Sequence, residues 1–122
     1  MSKAWAAGLV LAGLMTAATQ VRAGDLEFFT GQMLAAHCGA KPTDTDYATH
    51  SLQCAAYVLG VSDAQQATQA GGGVQKVCLP ATVNAPQIVD MVSAFLQAHP
   101  DKLPLAAQDL VLEALSQAYP CQ

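Results

Sequence analysis

The sequence predicts an all-α fold, a small bundle of four to five helices stapled by two disulfides. Three observations carry that prediction. Four segments show helical periodicity, and none shows the alternation of a half-buried strand. Breaker-rich stretches separate them: CGAKPTDTD (38–46), QAGGGVQKVCLPATVNAP (69–86) and HPDKLP (99–104). Four cysteines, Cys38, Cys54, Cys78 and Cys121, form an even set, which in a small exported domain implies disulfides.

Export is read from the N-terminus. MSK is followed by the uncharged run AWAAGLVLAGLMTAA and then by TQVRA before GD. Val21 and Ala23 are the small residues of a signal-peptidase site, so residues 1–23 are expected to be a cleaved signal peptide. Gly24 would then begin a single mature domain, 24–122. The apolar run is shorter than the roughly 20 residues that a membrane span needs, so no membrane association is expected after cleavage. Lys3 and Arg22 leave with the signal, and Lys41, Lys76 and Lys102 remain against nine acidic residues. Nucleic acid binding wants clustered cations, so that class is excluded. An acidic surface complements a basic partner instead.

The first helix is expected to start at a Thr30 cap and end near Cys38, with Gly31 weakening it. The second runs from about Asp46 to Ala67. At 100° per residue Cys54, Val58 and Val61 share a face, Leu52 and Leu59 a second, and Ala56, Gly60 and Ala64 a third. With no broad polar face across 54–61, this reads as the central helix. Gly60 costs about 1 kcal/mol of helix propensity relative to alanine, and close approach of a neighbouring backbone is the expected compensation. The third helix runs from Ala85 to about Ala98. Asn84 and Gln87 suit a capping box, and Pro86 fits the first turn. Ile88, Met91, Val92, Phe95 and Leu96 form its inner side. The fourth runs from near Pro104 to about Tyr119, with Leu103, Ala107, Leu110, Val111, Ala114 and Ala118 inward. Leu105, Leu112 and Tyr119 widen that arc, so it packs between two neighbours or meets a second copy of the chain. Three cysteine pairings are possible. If the first two and last two helices form hairpins, Cys38–Cys54 and Cys78–Cys121 are the favoured pairs.

Catalytic candidates are few. His37, His50 and His99 lack a triad-like context, and the cysteines lack the close ligand pairs of a zinc site. AGGGVQ lacks the lysine and the preceding strand of a phosphate loop. No enzyme activity, metal or cofactor is therefore expected. Asp63 is the one notable carboxylate. The wheel turns it inward, where it reads as an anchor accepting backbone N–H bonds or, in the competing reading, as an acid or base with a raised pKa.

Taken together, CAAYVLGVSDA, then VCLP, then PQIVDMVSAFLQAHPDKLPLAAQDLVLEALSQAYPC resemble the Rap/Tai family of type VI secretion immunity proteins. The shared pattern falls on Cys54, Tyr57, Gly60, Asp63, Cys78, Pro80, Gln87, Pro100, Leu103, Pro120 and Cys121. Tyr119 stands where that family often has phenylalanine. The resemblance spans about residues 30–122. It implies a disulfide-bonded helical domain in the periplasm, often a homodimer, that binds and blocks a peptidoglycan amidase effector and so protects the cell and its siblings. It also implies that Tyr57, Gly60, Asp63 and Pro80 are structural. The loop TQAGGGVQKV (68–77) is the candidate toxin contact, through Gly71, Gly72, Gly73, Gln75 and Lys76. The alternative is a general periplasmic binding or chaperone-like protein on the same scaffold, with no cognate toxin.

Overall fold

The computed structural model describes residues 28–74 and 76–122. The expected signal peptide, the start at Gly24 and the loop residue Gln75 lie outside them. The described chain forms α1 (Gly31–Cys38), α2 (Tyr47–Ala70), α3 (Ala85–Ala98), a 3-10 turn (Pro100–Lys102) and α4 (Ala107–Ala118). Two isolated antiparallel bridges, Thr30 with Ala106 and Val77 with Pro120, are the only extended pairings among the described residues.

α3 and α4 supply most of the core. Ile88, Val92, Phe95 and Leu96 face Ala107, Leu110, Val111, Ala114 and Leu115, and all are buried. Leu34 of α1 and Cys54 and Val58 of α2 close the cluster. α3 starts where local chemistry puts it. The Asn84 side chain accepts from the Gln87 amide and the Gln87 side chain from the Asn84 amide, both at 3.0 Å, a complete capping box. Thr30 caps α1 through the Met33 amide.

α4 begins at Ala107 and not near Pro104, because the residues before it serve α1. The first amides of α1 have no intrahelical partners. Gly31 donates to the Leu105 carbonyl and Gln32 to that of Leu103, each at 2.8 Å, and Ala107 returns a bond to Phe29. Leu105 is left outside the helix and exposed, and Ala118, the last residue of the helix, is exposed rather than inward.

α2 is a surface helix, a correction to its expected central place. It touches each of the other helices but buries only Cys54, Val58 and Ser62 of its 24 residues. The Ser62 hydroxyl turns back to the Val58 carbonyl at 2.9 Å. Leu52 is 69% exposed. Alanines on both sides give α2 almost no amphipathic signal, so the wheel could not select its inner stripe.

Both disulfides form as the hairpin argument favours: Cys38–Cys54 joins α1 to α2, and Cys78–Cys121 joins the segment before α3 to the chain after α4.

Candidate functional site

The C-terminus of α2 runs into the glycine loop. Thr68–Ala70 are still helical, so the loop proper starts at Gly71. Three successive glycine amides cap the helix: Gly71 donates to Ala67, Gly72 to Gln69 and Gly73 to Thr68. Gly72 has φ +84°, the left-handed region that other residues rarely enter. A Cβ on Gly73 would sit 2.8 Å from the Thr68 carbonyl oxygen. Two glutamines reach up from α2, Gln65 Nε2 to the Val74 carbonyl and Gln69 Nε2 to that of Val77. Beyond the loop, buried Val77 bridges to Pro120, and Cys78 donates to the Tyr119 carbonyl beside the Cys78–Cys121 staple. The loop is therefore tied at both ends and displays Val74, 79% exposed, with exposed Lys76.

Next to it lies an open groove of about 410 Å³ between α2 and α4. Ala56, Gly60 and Ala64 form one side, Tyr57 and Val61 the wall, and Gln108 and Leu112 the α4 side. Tyr57 packs on Phe29 with ring centroids 4.8 Å apart. Burial holds its phenol above the ordinary tyrosine value; a backbone hydrogen bond at Gln108 opposes this and the Asp109 carboxylate adds to it.

Two expectations about this surface are corrected. A Cβ on Gly60 would meet nothing within 4 Å, so no neighbouring backbone uses that glycine. Gly60→Ala is accordingly expected to raise stability by up to about 1 kcal/mol, the difference in helix propensity, measured by urea denaturation; a loss of stability would show that the space is occupied. Asp63 is exposed, and its carboxylate makes no hydrogen bond or ion pair with any described residue. Its inward direction followed from treating α2 as central, and the exposed carboxylate accepts no backbone N–H from a described residue. Pro80 is exposed and opens a turn in which Val83 donates back to its carbonyl.

The histidines contain what sequence reading missed. His37 Nδ1 and His50 Nδ1 lie 2.7 Å apart. The clue was available: His37 precedes Cys38, and His50 is one turn before Cys54, so the disulfide draws the two together. His99 stands apart, stacked on Phe95 and bonded to its carbonyl at 2.8 Å. Lys102 lies over the Phe95 ring, 5.7 Å from its centroid, and pairs with Glu113.

The structure is thus a stapled helical scaffold that presents a capped loop beside an open groove. The family model of Rap1a immunity proteins matches residues 30–121, and the chain belongs to that family. Its class is thus that of proteins conferring immunity to a toxic effector. No curated protein sequence matches the chain. No described helix is long and apolar enough to cross a membrane.

Proposed function

We propose that the chain is a periplasmic immunity protein that binds and inhibits a peptidoglycan amidase delivered by type VI secretion, protecting the producing cell and its siblings. Membership of the Rap1a family over residues 30–121 carries this reading. The proposed contact is the loop Gly71, Gly72, Gly73, Gln75 and Lys76, entering or rimming the amidase cleft. Its helix-capping bonds support that role, because a loop already tied at both ends loses less freedom on binding. Exposed Val74 gives it an apolar tip. A signal peptide of residues 1–23 would deliver the chain to the compartment where the cell wall is cut. The reading includes a homodimer, for which exposed Leu105 and half-buried Leu112 offer apolar surface.

The test mixes the purified protein with a peptidoglycan amidase, chosen from any that the neighbouring genes encode, and follows cleavage of isolated peptidoglycan. Inhibition saturating at a fixed molar ratio is expected; continued cleavage at excess inhibitor would reject the amidase as target. Weak binding to many unfolded proteins would favour a chaperone-like role instead. Deleting Gly71–Gly73 is expected to weaken affinity tenfold or more, and unchanged affinity would reject the loop as the contact.

A further inference from the structure

We infer that His37 and His50 form a proton-counting latch between α1 and α2, which stays closed with one added proton and opens with two. The inference stands on the geometry of the pair and is independent of the effector. At 2.7 Å the two Nδ1 atoms share a hydrogen bond. A neutral imidazole has one N–H and one lone pair, so one ring donates and the other accepts. Adding a proton to the donor's other nitrogen keeps this bond and makes it charge-assisted, hence stronger. Adding a second proton places an N–H on both Nδ1 atoms. Two donors then face each other with like charges, and the contact cannot persist.

The surroundings make this a latch and not a chance meeting of surface rings. His37 stacks on Phe29 with the ring planes nearly parallel at 4°, and His50 tilts against His37 with centroids 5.0 Å apart. Both rings are half-buried. Asp44 and Asp46 line the cleft with His50, and Asp90 of α3 and Tyr47 line the one with His37. Lys41, the cation on the same connection, is exposed and donates its amide to Asp44. At 2.7 Å nothing lies between the two Nδ1 atoms to separate two charges. The Cys38–Cys54 bridge keeps α1 and α2 joined when the rings part. The opening is thus local: the last turn of α1 swings from the first turns of α2 about a covalent tether.

The linkage sign follows from counting protons. An unfolded chain charges both imidazoles in acid, and the closed pair holds one proton. The unfolded state then binds more protons, so stability of the closed form falls as pH falls. The closed–open equilibrium shifts tenfold per pH unit once only the second proton is in play.

The test follows the ring nitrogens by long-range ¹H–¹⁵N spectra between about pH 8 and about pH 4, the range in which histidine charge changes. Two separated steps sensed by both His37 and His50 are expected, as for coupled sites. His99, which has no histidine partner, is the internal control with one step. In His50→Asn, and separately in His37→Asn, the remaining ring is expected to titrate in one step. Single steps for both rings in the unaltered protein would overturn the latch, as would two steps surviving in either variant. So would Nδ1 atoms that stay hydrogen-bonded when both rings are charged.

Discussion

Replacing Cys78 and Cys121 together by alanine is expected to lower stability by about 4 kcal/mol, the loop-closure value for a ring of this size. Their sequence separation is 43. The loss would act mainly through the unfolded chain, which gains the freedom that the bridge denies it. In the folded state the same region keeps other ties, the Cys78 amide on the Tyr119 carbonyl and the Val77–Pro120 bridge. The helical content of the folded variant should therefore match that of the unaltered protein, while its denaturation midpoint falls steeply. Small domains hold only about 5–15 kcal/mol of net stability, so this single bridge accounts for a large share. Guanidinium denaturation followed by circular dichroism checks the prediction. An unchanged midpoint would mean that the unfolded chain is already confined near the bridge. The loop would suffer as well, because its far end is anchored at Cys78.

What was legible in the sequence was what neighbours along the chain decide. The Asn84–Gln87 capping box involves residues three apart, and it forms as read. The inner side of α3 was legible because its apolar and polar residues are segregated, and Ile88, Val92, Phe95 and Leu96 are buried as expected. The disulfide pairing followed from the order of hairpins. α2 resisted the same approach. Ala48, Ala56, Ala64 and Ala67 are exposed while Ala55 is half-buried, so residue type carries no information about direction. The error spread to Asp63 and Gly60, whose inward roles depended on the wrong face. The start of α4 was hidden for another reason. Leu103 and Leu105 give their carbonyls to the amides of α1, a choice made by residues more than seventy positions away. The His37–His50 contact lies between these cases, because it is implied only once Cys38 is paired with Cys54.

The same distant contact makes Gly31 the critical glycine, and Gly31→Ala is expected to destabilise the protein by about 3 kcal/mol, within the usual range for overpacking with lost hydrogen bonds. A Cβ there would lie 2.2 Å from Leu110 Cδ1 and 2.9 Å from the Leu103 carbonyl oxygen. Leu110 is 1% exposed and has little room to turn away. The Leu103 carbonyl is fixed by the Gln32 amide at 2.8 Å. Relief therefore requires the start of α1 to lift, which breaks its bonds to Leu103 and Leu105 and the return bond from Ala107 to Phe29. Helix propensity alone argues the opposite, since alanine is favoured over glycine in a helix by about 1 kcal/mol. Gly60→Ala receives that gain with no contact to oppose it. One substitution made at two helical glycines should thus change stability in opposite directions, with the buried site losing more than the exposed site gains. Urea denaturation of the two variants side by side decides it. If Gly31→Ala proved neutral or stabilising, the close packing of α1 on the segment before α4 would not be what holds that end of the molecule together.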